Sequence, residues 1–216
     1  VTVGETVLDV TIGTMGQDDP GNHDTSDFHN RLGNLEWENR DPSGGLQANA
    51  KFEILPDPFT GTGSLIVADN DANDRDQDDG QFKLINVRVN TYLVTEVEPP
   101  PGYALDSDID REVTVSEADL HVVIGVQGQD DKSGANPEEF DFHNQLGSLS
   151  WEKRDERNAL LGGATFEVSP NPLTSHQPPM VVVDNGQWDA DDTPGQITVE
   201  NCRLGDYTIT ETLPPP

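Results

Sequence analysis

The 216 residues carry 41 Asp+Glu against 12 Lys+Arg, a formal net charge of −29. That balance excludes a nucleic-acid binder, which needs a basic footprint, and docking on an anionic bilayer; no apolar run reaches the ~18–20 residues of a spanning helix, so no membrane insertion is expected. Leu, Ile, Val and Phe together number 51, above the ~20% below which a chain builds no core, so the acidity belongs to a folded protein.

In chain order, alternation of apolar and polar residues predicts strands at Val1–Val3, Val7–Ile12, Leu35–Asn39, Phe52–Leu55, Leu65–Val67, Phe82–Val87 and Tyr92–Val97. Val113–Val115 and Leu120–Val126 follow, with counterparts of the earlier strands in the second half. Gly, Pro, Asp and Asn clusters separate them, and no segment sustains a 3.6-residue period. The pattern is that of an all-β sandwich whose antiparallel strands each bury one face. The lone Cys202 leaves no internal disulfide framework.

The chain repeats itself. VTVGETVLDVTIGTMGQDD (Val1–Asp19) returns as VTVSEADLHVVIGVQGQDD (Val113–Asp131). DFHNRLGNLEWENRD (Asp27–Asp41) returns as DFHNQLGSLSWEKRD (Asp141–Asp155), and TYLVTEVEPPP (Thr91–Pro101) as DYTITETLPPP (Asp206–Pro216). Offsets of 112, 114 and 115 residues set a unit too long for a solenoid and right for a small domain. The phase predicts closing strands of a preceding repeat at 1–30, a complete sandwich at 31–144, and a second one at 145–216 that lacks its last strands. A window cut from a longer tandem array is expected, the alternative being an arbitrary pair of ends in a two-domain protein.

Side chains of equal parity share a face of a strand. Leu149 and Trp151 mark the core face, so Lys153 points inward at the end of that strand. Tyr207, Ile209 and Glu211 share a face, as do Phe142 with Asn144 and Phe28 with Asn30. A Lys, a Glu and an Asn thus each sit on an apolar side, where charge is costly unless paired or neutralised. One solution is a Lys153–Glu211 ion pair. The other is covalent: burial favours a neutral amine and a protonated carboxyl, a nucleophile and an acid for attack on an Asn amide.

WEKRDERNALLGGATFEV (Trp151–Val168) followed by GDYTITETLPPP (Gly205–Pro216) resembles the Cna-B-type repeat of Gram-positive collagen adhesins and pilins, and the related prealbumin-like repeats of bacterial surface proteins. YLVTEVEPPPGY (Tyr92–Tyr103) matches the same box in the first unit. The resemblance implies tandem Ig-like sandwiches in extracellular fibres or stalks, joined within each domain by Lys–Asn isopeptides. By resemblance Lys153 is the nucleophile and Glu211 the catalytic acid, with the acceptor Asn expected beyond Pro216. The first unit departs from the pattern, because Asn39 stands where Lys153 does. Asn39, Glu96 and Asn144 have no amine among them, and a hydrogen-bonded cluster is expected instead. Asn30 occupies the acceptor position for a neighbouring unit, within one long chain or between subunits, unless it only caps a strand end.

A pattern D-N-x3-D-x-D-x3-G also recurs. Asp69, Asn70, Asp74, Asp76 and Gly80 align with Asp184, Asn185, Asp189, Asp191 and Gly195. Alternating carboxylates on a turn offer the hard oxygen ligands Ca²⁺ prefers, although the spacing is not that of an EF-hand. The alternative is a solvated acidic loop adapted to salt. Cys202 aligns with Val87 as a core residue, and His29 and His143 are expected at a surface or inter-domain contact. Trp188 in an acidic loop is the one aromatic expected to be exposed. Ser-His-Asp spacing, phosphate-binding glycine loops and zinc motifs are absent, which disfavours an enzyme. A structural repeat of an extracellular fibre, stalk or pilus-like assembly is expected, partnered by neighbouring repeats or subunits; a ligand-binding adhesin module is the alternative.

Overall fold

A computed structural model describes residues 31–125, 128, 141–174 and 176–216. The chain divides into Val1–Leu32 and Gly33–Pro216, and the strands below belong to the second. The expected strands Val1–Val3 and Val7–Ile12, and Phe28, His29 and Asn30, lie outside the described residues.

Eight strands build the first sandwich. They are β1 (Gly33–Arg40), β2 (Lys51–Leu55), β3 (Leu65–Ala68), β4 (Gln81–Val87), β5 (Asn90–Glu98), β6 (Asp110–Val115), β7 (His121–Val123) and β8 (Phe142–His143). One sheet runs β3-β2-β5-β6 and the other β4-β1-β7, with β8 also on β1. Alternation sends Phe52 and Ile54 of β2, Phe82 and Leu84 of β4, and Tyr92 and Val94 of β5 into one core with Leu35 and Trp37 of β1. The Trp37 ring stacks on Phe82 at 5.0 Å, and Phe52 meets Trp37, Phe82 and Phe142 edge-on.

The second sandwich contains β9 (Gly147–Glu152), β10 (Thr165–Ser169), β11 (Met180–Val183), β12 (Gln196–Cys202) and β13 (Thr208–Leu213). Its sheets are β11-β10-β13 and β12-β9. β9 to β13 repeat β1 to β5. Among the described residues nothing repeats β6, β7 or β8, so one edge of β13 and one of β9 carry no partner strand. The smaller core joins Phe166, Val168, Met180, Val182, Ile197, Val199 and Cys202, with Leu149, Trp151 and Tyr207 only partly covered. Cys202 is buried and its thiol donates to the Val199 carbonyl.

Three expectations change. The sheets are not wholly antiparallel: β7 and β8 both run parallel to β1, in series along one edge, pairing with Asn34–Glu36 and with Asn39–Arg40. The expected strand over Leu120–Val126 shortens to His121–Val123. β1 does not bury one face alone, because Glu36, Glu38 and Arg40 are buried as well.

A joint links the two sandwiches within Gly33–Pro216. The Leu204 N–H donates to Gly102 O at 2.7 Å, and the Arg203 guanidinium lies 4.9 Å from the Tyr103 ring centre and donates to Pro101 O. The Pro-Pro-Gly-Tyr box of the first sandwich therefore docks on the turn between β12 and β13.

Candidate crosslinking site

β1 delivers Asn39 to the core side at its last turns, and β8 delivers the following residue, Asn144, beside it. Backbone pairing fixes the approach: Asn39 opposes Phe142, and Asn144 N–H donates to Arg40 O at 2.8 Å. Asn39 Nδ2 donates to Asn144 Oδ1 at 2.7 Å. Asn144 Nδ2 in turn donates to Glu96 Oε1 at 2.7 Å and to Ala104 O. Glu96 Oε2 accepts from the Asp106 N–H at 3.2 Å. All three side chains are buried. Burial pushes the Glu96 carboxyl above its ordinary range; the Asn144 hydrogen bond acts against that shift. The structure thus brings Asn39, Glu96 and Asn144 together as a donor–acceptor chain joining β1, β5 and the segment after β8.

The second sandwich presents the same place with a Lys. Lys153 follows β9 and its Nζ lies 2.8 Å from Glu211 Oε2 on β13. The pair is not enclosed as parity alone predicts: the Lys153 and Glu211 side chains are 24% and 32% exposed. The cause is topological. In the first sandwich β8 and the Asn144 segment cover this spot, and no described strand does so in the second. Asn30, the expected acceptor for a neighbouring unit, lies outside the described residues.

A second set of groups escapes sequence reasoning. Arg40 is buried between two carboxylates, Glu38 and Asp141, with Nε 2.9 Å from Asp141 Oδ2. Glu38 also accepts from Gly128 N–H at 3.0 Å. Arg111 is buried with its guanidinium 4.5 Å from the Phe142 ring centre and donates to Asp106 and to Asp141 O. These contacts lock the segment carrying Asn144 onto β1. The recurrence of Asp141 in the DFHN box and of Arg40 in the W-E-x-R box was the available signal. Their counterpart in the second sandwich is an exposed Arg154–Glu152 pair at 2.6 Å.

The acidic loops are scaffolds for the backbone. Asp69 accepts the N–H groups of Asn49 and Gly80. Asp74 accepts those of Asn70, Asp76 and Lys83. The second loop repeats this, with Asp184 accepting from Gly163 and Gly195, and Asp189 from Asn185, Asp191 and Thr198. Asp76 and Asp191 each cap the N–H two residues on. Asn70 and Asn185 take left-handed backbone conformations, as do Gly80 and Gly195. A Cβ at Gly80 or Gly195 would also meet backbone nitrogen at 2.7 or 2.8 Å. Every residue type in the repeated pattern therefore has a backbone role. Among the described residues no three Asp, Glu, His or Cys side chains gather as a metal-holding group.

His143 is half-buried and its N–H donates to Asp106 Oδ2; Trp188 is exposed.

The SpaA prealbumin-like fold domain profile matches residues 33–130 and 147–216, most of the chain and both sandwiches. The chain belongs to that family. Among solved structures this SpaA-type chain is similar to the Bacillus anthracis TIE protein, at 22% identity over 85% of this chain and 28% of that chain, with a TM-score of 0.51. It is also similar to a Streptococcal ancillary pilin (21% identity, 85% and 54% covered, TM-score 0.35) and to the C-terminal fragment of the pilus adhesin SpaC from Lactobacillus rhamnosus GG (13% identity, 86% and 77% covered, TM-score 0.41). The chain spans 28% and 54% of the first two. No curated protein matches it. Likeness at these identities is likeness of fold.

Proposed function

We propose that the chain is a structural repeat unit of an extracellular or cell-surface fibre, stalk or pilus-like assembly, and that its second sandwich is closed by a Lys–Asn isopeptide through Lys153. The observation that carries this reading is the 2.8 Å approach of Lys153 Nζ to Glu211 Oε2 at the position where the first sandwich places Asn39 in a chain with Asn144 and Glu96. Among the described residues no acceptor amide reaches this pair. When a closing strand brings one, it covers the pair and lowers the local dielectric, which favours neutral amine and neutral carboxyl. The Lys153 amine attacks the Asn carbonyl carbon while Glu211 donates its proton to the amide oxygen. The tetrahedral intermediate collapses with loss of ammonia, and Glu211 regains a proton from the former amine. The step consumes nothing else and runs once, so the protein turns over no substrate. Peptide mapping of the native protein tests it: a Lys153 peptide joined to an Asn peptide supports the reading, and a fully free Lys153 amine overturns it.

One observation favours the adhesin alternative. Trp188 is exposed and lines an apolar groove of about 410 Å³ with Leu173, Pro178, Met180 and Val181, and the first unit has Asn73 in its place. Trp188→Ala abolishing cell-surface adherence while leaving fibres intact would favour that role.

Calcium in the acidic loops is a subsidiary proposal. It is supported by their recurrence and by Asp184 Oδ1, buried without a hydrogen-bond partner among the described residues. Binding would require the loop to release carboxylate oxygens now held by backbone amides. Equal melting temperatures with calcium and with chelator overturn it.

A further inference from the structure

β1 is tied along its length to β7, β8 and the residues flanking them. Asn34 N–H donates to Leu120 O at 2.7 Å, Ile124 N–H to Glu36 O at 2.8 Å and Asn144 N–H to Arg40 O at 2.8 Å. Side chains add three more ties. Gly128 N–H donates to the Glu38 carboxylate at 3.0 Å, Asn39 Nδ2 donates to Asn144 Oδ1 at 2.7 Å, and Arg40 Nε lies 2.9 Å from Asp141 Oδ2. Glu38, Asn39, Arg40, Asp141 and Asn144 are all buried, where an electrostatic bond is stronger than in water. Ile124 and Phe142 root the same elements in the core.

The direction of these strands decides how they meet a pull along the chain. β7 and β8 run parallel to β1. Tension entering ahead of Gly33 and leaving after Asn144 therefore slides β1 and β8 past each other along their length. It meets first the three bonds crowded at Asn39 and Arg40, to Asn144 N–H, the Asn144 side chain and Asp141. These lie side by side and share the load, so none fails alone, and the Asp141 carboxylate must leave the guanidinium inside a buried site. Gly128 on Glu38 and the β7 pairing stand behind them as a second barrier. The other neighbour of β1 behaves differently. β4 is antiparallel, with Gly33 beside Val87, so a force parting those two ends opens the pair one bond at a time. We propose that β1 with β8 and β7 is a noncovalent tension clamp, by which the first sandwich resists stretching along the chain with no covalent bond between its ends. The use of such a clamp in a fibre rests on the structural reading above; the clamp itself does not.

The test is single-molecule pulling of the 216-residue chain along two axes. Handles on Leu32→Cys and Gln145→Cys load the clamp in shear, and handles on Leu32→Cys and Val89→Cys peel β1 from β4; all three positions are exposed, and Cys202→Val removes the native thiol. The shear event is recognised by its length, up to about 40 nm of released chain at about 3.6 Å per residue. The shear axis is expected to rupture at roughly twice the force of the peeling axis or more, since forced unfolding follows the unfolding rate along the pulled direction. Asn39→Ala and Arg40→Ala are expected to raise the unfolding rate under shear roughly tenfold or more, and to change peeling far less because peeling starts at Gly33. Equal forces on the two axes overturn the inference. So does a shear force untouched by Asn39→Ala in a folded protein, a comparison that holds even where Arg40→Ala does not fold. Either failure leaves the state of the Lys153 amine, and with it the crosslinking reading, to be decided by peptide mapping.

Discussion

Asn39 and Asn144, 105 residues apart, are joined by a 2.7 Å amide–amide hydrogen bond that ties the first strand of the first sandwich to its closing segment. Lys153 holds the place of Asn39 in the second sandwich, so one fold carries a hydrogen-bonded and an amine-bearing version of the same corner.

Conversion between the two versions is the first prediction. Asn39→Lys places an amine against Asn144 with Glu96 already hydrogen-bonded to that amide. The variant is predicted to weigh about 17 Da less than its sequence requires, through loss of ammonia. Adding Glu96→Ala is predicted to restore the full mass. A folded Asn39→Lys protein of full mass would show that this corner does not support the chemistry.

The buried arginine gives a second. Arg40→Ala removes the guanidinium buried between Glu38 and Asp141, which costs about 3–5 kcal/mol. Arg154→Ala breaks only an exposed pair and is predicted to change stability little. Denaturant unfolding of both variants measures the contrast, and equal effects would contradict the burial argument.

Acid titration gives a third. Burial raises the carboxyls of Glu96, Asp69 and Asp74, with neighbouring aspartates adding to the shift. A raised carboxyl favours the protonated folded state. Its contribution is fully present below the ordinary carboxylate range of about pH 4 and is lost as pH rises through the raised native values. The first sandwich is therefore predicted to melt at a higher temperature near about pH 5 than at neutrality. Glu96→Gln removes one of the three groups and is predicted to narrow that difference in calorimetry; an unchanged pH dependence would contradict the assignment.

The loops give a fourth. Asp74→Ala removes the acceptor of three backbone amides in a buried turn and is predicted to cost about 1–3 kcal/mol. If the carboxylate serves the backbone, the loss is the same with chelator present. A loss seen only when calcium is available would reassign the residue to a cation.

What could be read in advance follows from the range of the interactions. The strands were legible because Phe52/Ile54, Phe82/Leu84 and Tyr92/Val94 alternate with polar residues over a pleat whose period is local. The repeat located the Asn39–Glu96–Asn144 corner because its Lys-bearing twin marked the same positions. The shared face of Phe142 and Asn144 was legible from parity, but the pairing of Phe142–His143 was not, since its partner is a parallel strand 103 residues away. The second buried face of β1 was hidden for another reason. Glu36, Glu38 and Arg40 read as solvated charges, and only the packing of later segments encloses them. The acidic loops show the limit of residue type as a signal, because the carboxylates that suit a cation also suit backbone amides.

The most direct measurement is mass spectrometry of peptides from the native protein. A Lys153 peptide joined to an Asn peptide, lighter by about 17 Da than the sum of the two because ammonia is lost, is the predicted result. A native, folded protein in which every Lys153 side chain remains a free amine would contradict it.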